Sequence, residues 1–375
     1  MWVKIMFNIA IRADGGPAVG MGHVMRCIAI AQELKNKGCR VYFIGKYVQG
    51  IQRAEKSGFS AFYLYSEAKQ QNEYSGFDYG NSEELEEDII STQSITAQQG
   101  CDLLLIDKYN LTEDYFYKVK EFINKVAFID DLNVINSVAD IIINGNINAS
   151  QLGYTKVFPQ QKLLLGTEFT PIREEFRQVQ NLKKDYNKYS GMSIIGSKSE
   201  YQTPQIMITT GGSDPYNCTG MLINLLMTDR RSSILNYNIV ATSGFKHLNN
   251  LIDMANNYKN MRLYVDLDKV SEIMCDSDIA ISSGGSTLYE LCCCGTPTLS
   301  FIMAENQKEI VDTFQKLNYI QTLGWYNLIN GKELIHKIVH LVSDNTLRKQ
   351  YSLRMQSLID GKGAVRIAEE IVKSI

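Results

Sequence analysis

Long apolar runs are missing from this chain. None reaches the roughly 18 residues that cross a bilayer, so membrane insertion is not expected. A basic stripe or Arg-rich run is missing too, and the formal net charge is −3, so nucleic acid is not an expected partner. A small anion needs only a local positive site, so overall charge does not exclude one. Histidine is scarce, with four in 375 residues. The eight cysteines form no paired framework. Three of them, Cys292 to Cys294, are consecutive, and on a helix neighbours point about 100° apart, so they cannot share a metal. Reduced, buried thiols in a cytoplasmic protein are the expectation, with no metal and no other cofactor. No short-period repeat appears.

What is present is ordinary globular composition, 45% hydrophobic and 21% charged, at a length suited to two domains. The opening "VKIMFNIAIR" (3–12) reads as a first strand rather than part of a signal peptide. "GHVMRCIAIAQELKNKG" (22–38) reads as a helix stopped by glycine. Residues 40–45, 102–107, 126–130 and 139–144 are short apolar runs with little alternation. Such runs suit a parallel sheet covered on both faces. Helical patterns at 82–98 and 112–122 lie between them. A second series follows, with strands at 205–210, 236–242, 261–265, 278–282 and 296–302. Helices are expected near 215–228, 246–257, 267–275, 285–295 and 305–317, with a helical tail from about 330. The polar stretch around 181–202 reads as a linker or surface excursion. The expected architecture is α/β: two Rossmann-like parallel-sheet domains facing a cleft, at 1–180 and 204–375, with 181–203 between them.

Four segments carry candidate chemistry. In "RADGGPAVGMGHVMRC", Arg12 ends a strand and the helix opens at Gly22-His23. Gly20 and Gly22 allow sharp turning and close approach of backbone to a ligand. The helix start offers free N–H groups to an anion. His23 stands at that mouth, where a neutral imidazole can act as a general base; a hydrogen-bonded helix-start residue is the simpler alternative. Arg26 lies on the same helical face and could meet substrate or form a structural ion pair. His247, His336 and His340 lie in or beside ordinary helices. In "SSGGSTLYELCCCGTP", Gly285, Ser286 and Thr287 open a helix in a way that suits a diphosphate, and Glu290 could accept from ribose hydroxyls. Thr287-x-x-Glu290 is equally a capping box. In "TTGGSDP", Gly211, Gly212 and Ser213 precede a helix expected to begin at Asp214-Pro215, or form a plain tight turn. In "AENQ", Asn306 and Gln307 offer uncharged amides, or a loop cap. Asp107, Tyr109, Asp130 and Asp131 end two strands, where aspartates serve acid–base chemistry or turns.

Taken in order, these segments, with "LLIDKYN", "FIDDL", "PIREEF" and "MRLYVD", resemble the nucleotide-sugar hydrolases of pseudaminic acid biosynthesis. Those are relatives of the MurG-like glycosyltransferases with the GT-B fold. The resemblance covers most of the chain. It implies cleavage of UDP-2,4-diacetamido-2,4,6-trideoxy-β-L-altropyranose to free sugar and UDP, without a metal. His23 matches the catalytic histidine that activates water, and Tyr109 and Asn306 match substrate-contacting positions. Gly285, Ser286, Thr287 and Glu290 match the UDP-binding helix start. Arg12, Gly20, Gly22, Arg26, Gly211, Gly212, Ser213 and Gln307 are the further candidate substrate contacts. The expected partner is the UDP-sugar alone, and the working expectation is a monomer, with oligomeric state open. The rivals are a MurG-like transferase using the same donor, a hydrolase acting on another sugar for a spore or surface polysaccharide, and a non-catalytic UDP-sugar-binding protein.

Overall fold

One strand order is used twice. The computed structural model describes residues 7–16, 19–64, 84–180 and 203–375. The first sheet holds β1 (Asn8–Ala13), β2 (Arg40–Gly45), β3 (Ser60–Tyr63), β4 (Leu103–Asp107), β5 (Lys125–Ile129), β6 (Ile141–Asn144) and β7 (Lys162–Leu165). Their order is β3-β2-β1-β4-β5-β6-β7, and every pair is parallel. The second sheet holds β8 (Gln205–Thr209), β9 (Asn236–Ala241), β10 (Met261–Val265), β11 (Ile279–Ser283), β12 (Thr298–Ile302) and β13 (Gln321–Trp325). Its order, β10-β9-β8-β11-β12-β13, is again all parallel.

The strand sequences explain the layering. Alternate residues of a strand face opposite ways, and here both sets are apolar. Ile9, Ile11, Leu103, Leu105, Ile141 and Ile143 pack on one face with Val24, Cys27, Ile30 and Leu34 of the helix Gly22–Asn36. Ala10, Leu104, Ile106, Val126 and Phe128 pack on the other. There they meet Leu85 and Ile89 of the helix Glu84–Gln99, and Tyr115, Phe116 and Val119 of the helix Glu113–Phe122. Both faces are therefore dry, as the unbroken apolar runs require.

Three strands escape the sequence reading, and all three are edge or next-to-free positions. β3 and β13 are edge strands of half-exposed, mixed residues, and β13 pairs irregularly with β12. β7 is likewise only partly buried. One wet face removes the continuous apolar signature.

The chain divides into two compact units, Met1–Arg173 with Lys362–Ile375, and Glu174–Gly361. This corrects the expected boundaries at both ends. The last helix, Gly363–Val372, returns to the first unit, where Ala364, Ile367, Ala368 and Ile371 join the core beneath the helix Gly22–Asn36. Gly363 approaches Thr170 so closely that a Cβ would lie 2.0 Å from its carbonyl oxygen. Residues 174–180 belong instead to the second unit: the Ser271 hydroxyl donates to Glu175 (2.9 Å), and the Gln180 amide donates to the carbonyl of Ile359 (2.9 Å). The stretch 181–202, expected to be a linker, lies outside the described residues.

Within each sheet the chain reverses its winding beside the first strand, between β1 and β4 and again between β8 and β11. Crevices at the carboxyl ends of such strand pairs are the usual ligand positions of doubly wound folds.

Candidate functional site

The first crevice is built from the glycine loop. Gly16 and Gly20 exchange backbone hydrogen bonds (3.1 and 2.7 Å), closing a tight loop between β1 and the following helix. Gly20 has φ +74°, a conformation glycine adopts without strain. The helix then begins at Gly22 with Met21 as its N-cap, whose side chain makes no capping hydrogen bond, and with no acidic residue in its first turn. His23 is its second residue.

β4 lies beside β1 and ends in Asp107, whose side chain is fully buried. Asp107 Oδ1 meets His23 Nδ1 at 2.6 Å and accepts from Arg26 Nη2 at 2.6 Å. Its Oδ2 accepts from Arg26 Nε at 2.7 Å and from the Cys27 thiol at 3.4 Å. Burial by itself would raise the Asp107 pKa, but Arg26 and His23 outweigh it and hold the carboxyl well below the usual range. A carboxylate can only accept, so it places the proton of a neutral imidazole on Nδ1. Nε2 is then the acceptor, the form a general base needs. Arg26 Nη2 and His23 Nδ1 lie 3.2 Å apart because both donate to one oxygen.

A second carboxylate completes the cluster. Asp131, in the loop after β5, pairs with Arg26 Nη1 (2.9 Å to Oδ2). It also accepts from Tyr109 Oη at 2.6 Å and from Asn146 Nδ2 at 2.7 Å. The Tyr109 ring meets the His23 ring edge-on, with centroids 4.8 Å apart. Four strand ends thus converge on one constellation. Asp130 does the turn chemistry that strand-end aspartates offer, accepting from the amides of Leu132 and Asn133, both at 3.0 Å.

Arg12 has a different role from the one expected of it. It is wholly buried, and its guanidinium grips Asp14 (2.6 and 2.8 Å) and Asp88 (2.6 and 2.9 Å). Tyr115 also donates to Asp88, at 3.0 Å. This is an internal ion cluster, and a substrate contact through Arg12 does not fit it.

The second crevice gathers the three remaining segments. The helix Thr287–Cys294 has Ser286 as its N-cap, whose side chain makes no capping hydrogen bond. The alternative reading, a capping box from Thr287 to Glu290, is not formed: Thr287 already lies inside the helix, and Glu290 sits in its first turn. Gly284 is required by packing, since a Cβ there would fall 2.3 Å from Val311 Cγ2. Gly285 is different, because a Cβ would meet nothing within 4 Å. The fold gives no reason for glycine there, whereas close approach of a ligand to backbone would. Gly211 lies alongside: a Cβ on it would be 3.4 Å from Thr287 Oγ1. Gly212 accepts from the Thr242 hydroxyl at 3.0 Å, and Ser213 is buried. The helix after them begins at Cys218, not at Asp214-Pro215. The Asp214 carboxylate occupies its start, accepting from the amides of Cys218 (2.7 Å) and Thr219 (2.9 Å). An anion is therefore not expected at that helix end. Asn306 lies in the first turn of the helix Glu305–Lys316, and Gln307 clamps the preceding loop by accepting from the amide of Met303 at 2.9 Å.

The sequence marks His23, Arg26 and Tyr109 as candidate site residues but does not show that Asp107, Asp131 and Asn146 organise them. The two aspartates carried a signal, their position at strand ends. Asn146 carried none. Among the described residues, no group of three or more His, Cys, Asp or Glu side chains could hold a metal ion. Among those residues, too, no helix is long and apolar enough to cross a membrane.

No family model matches the chain. It is 28% identical over 318 residues to the uncharacterized protein MJ1062 of Methanocaldococcus jannaschii, covering 82% of this chain and 58% of that protein, so it spans little more than half of that relative. It is 26% identical to the spore coat polysaccharide biosynthesis protein SpsG of Bacillus subtilis, over 96% of each chain. It is 26% identical to a UDP-N-acetylglucosamine–N-acetylmuramyl-(pentapeptide) pyrophosphoryl-undecaprenol N-acetylglucosamine transferase of Clostridium botulinum, over 97% of this chain and 98% of that one. It is 21% identical to the UDP-2,4-diacetamido-2,4,6-trideoxy-β-L-altropyranose hydrolase of Campylobacter jejuni, over 84% and 98%. Among solved structures, MurG of Acinetobacter baumannii superposes with a TM-score of 0.62 at 11% identity, over 98% of this chain and 99% of that one. The UDP-GlcNAc 2-epimerase of Neisseria meningitidis superposes with 0.63 at 12%, over 98% and 100%. The fold is GT-B, two Rossmann-like domains with parallel sheets.

Proposed function

We propose that this protein hydrolyses a UDP-activated diacetamido-trideoxyhexose, UDP-2,4-diacetamido-2,4,6-trideoxy-β-L-altropyranose, to free sugar and UDP. The observation that carries this reading is the 2.6 Å contact from His23 Nδ1 to the buried Asp107 carboxylate. It fixes the ring and leaves Nε2 to take a proton from water. The water oxygen bonds to C1 of the sugar, the bond from C1 to the diphosphate oxygen breaks, and its electron pair leaves with UDP. Asp107 stabilises the imidazolium that forms, as a buried carboxylate behind a base does. The start of the helix Thr287–Cys294, where the N-cap Ser286 makes no side-chain capping bond, receives the diphosphate, and helix-end amides there stabilise developing negative charge. Glu290 accepts from the ribose, and Asn306 and Tyr109 contact the sugar. The Campylobacter relative's name supports this chemistry.

A second reading has equal support from the relatives. The Clostridium protein is named as a transferase and matches over nearly the whole chain. In that case an acceptor hydroxyl replaces water, and His23 deprotonates it instead.

The deciding experiment is UDP release from a UDP-sugar panel in ¹⁸O-labelled water, with and without acceptor. Hydrolysis gives release without acceptor and label in the sugar. Release only with acceptor establishes transfer, and label in UDP would show attack at phosphorus and end both readings. His23→Asn should lower turnover at least about a hundredfold, the usual contribution of a general base, with UDP affinity nearly unchanged. Unchanged turnover removes His23 from the mechanism.

A further inference from the structure

Asp131 is an unusual hub for a loop residue. Its carboxylate is only 8% exposed and takes donors from three separate elements. Arg26 reaches it from the helix Gly22–Asn36, at 3.0 Å to Oδ1 and 2.9 Å to Oδ2. Asn146, in the loop after β6, donates to Oδ1 at 2.7 Å. Tyr109, in the loop after β4, meets Oδ2 at 2.6 Å. An oxygen already facing a guanidinium has only lone pairs to offer, so the tyrosine hydroxyl is the donor in that contact. The phenol hydrogen is thereby taken, and what the Tyr109 oxygen retains is acceptor capacity. The same tether holds the ring edge-on against His23.

We propose that Asp131 is a positioning residue that polarises the site's selectivity: by taking the Tyr109 hydrogen it makes that phenol an obligate acceptor, so the sugar group that meets it is a hydrogen-bond donor, an amide N–H or a hydroxyl. This rests on the reading that Tyr109 contacts the sugar of a nucleotide-sugar. It adds to that reading the sign of the contact and the residue that sets it. A site built to hydrogen-bond one polar group rejects an isostere that cannot return the bond, because a buried polar group is left unpaired. An ether or ester oxygen in place of the donor would face the Tyr109 lone pairs directly.

The test compares UDP-hexoses carrying acetamido groups with counterparts carrying acetoxy groups, in which the N–H becomes an oxygen of similar shape. Turnover (kcat/KM) and calorimetric binding are both measured, for the wild type, Tyr109→Phe and Asp131→Leu, which keeps the shape but removes the acceptor. The wild type should prefer the acetamido sugar by at least about tenfold, the size of one lost buried hydrogen bond. Both substitutions should flatten that preference, whatever they do to the absolute rate, and the double variant should discriminate no less than either single one. In ¹³C-tyrosine-labelled protein, Asp131→Leu should also move the Tyr109 Cζ resonance in the absence of any ligand. Equal handling of the two sugars by the wild type overturns the proposal. So does a preference that survives in Asp131→Leu, or a Cζ resonance that does not move. Should no sugar be turned over with or without acceptor, the hydrolase and transferase readings fall, and the binding preference still decides this one.

Discussion

Charge inside the first unit is concentrated in a few buried residues. Arg12, Asp14 and Asp88 form one cluster, and Arg26, Asp107 and Asp131 form the other. Burial by itself would raise the Asp14 pKa, yet Arg12 outweighs burial and brings it down to about 2. Asp88 and Asp107 are lowered in the same way by Arg12 and Arg26. A carboxyl with a depressed folded-state pKa stabilises the fold above the unfolded carboxylate range, and that stability is lost as pH falls through the folded value. The window here runs from about pH 4 down to about 2, and Asp14 alone is worth about 2 kcal/mol in it. Asp130 works the other way, because burial raises its pKa. Denaturant unfolding of Asp14→Asn should therefore show lower stability at pH 7 and a flatter decline between pH 4 and 2 than the wild type. Parallel declines would show that the Arg12–Asp14 pair does not carry the acid sensitivity.

The strand–glycine–helix junction is the element that recurs, and its copies differ in how the helix end is filled. At Cys218 the Asp214 carboxylate occupies the end, whereas at Gly22 and Thr287 the N-cap residues Met21 and Ser286 supply no side-chain cap. The paired glycines 284 and 285 separate packing from the proposed nucleotide binding within one turn. Gly284→Ala drives a methyl into Val311 and should destabilise the second unit by about 1–3 kcal/mol, the usual range for overpacking. Gly285→Ala meets open space and an ordinary backbone conformation, so its melting temperature should stay within a degree or two. It should still weaken UDP binding at least several-fold, since the proposed function brings the diphosphate to where the methyl would stand. Thermal melts and UDP titration of the pair check this. Intact UDP affinity in Gly285→Ala would move the nucleotide site elsewhere.

The molecule as a whole is two doubly wound units in which the chain crosses over, makes the second, and returns. The return helix Gly363–Val372 is a core element of the first unit and not a tail of the second. Ile367 and Ile371 are fully buried, and together their burial contributes roughly 3–6 kcal/mol. Removing residues 362–375 should strip that stability from the first unit and leave the second little changed. Calorimetry of the truncated chain should show one transition lowered and one retained. If neither moves, the helix is not part of that core.

The chain order of strands and helices was legible in the sequence because buried parallel strands and amphipathic helices write local patterns. The runs at 102–107 and 205–210 locate β4 and β8 to within a residue, and glycines mark the helix starts at Gly22 and Thr287. His23, Arg26 and Tyr109 could be singled out for the same reason, as polar residues beside such marks. What local pattern cannot hold is partnership at a distance. Asp107 lies 84 residues from His23, and they meet only because β4 pairs with β1. Arg12 looked like a mouth residue and became core because Asp88, 76 residues on, arrives on a packed helix. The last helix joins the first unit because its apolar face finds unfilled core there, beside the helix Gly22–Asn36. Periodicity and turn chemistry act over a few residues, so the sequence alone determines the elements. Burial and charge pairing act across the fold, so only the tertiary structure decides which side chains face one another.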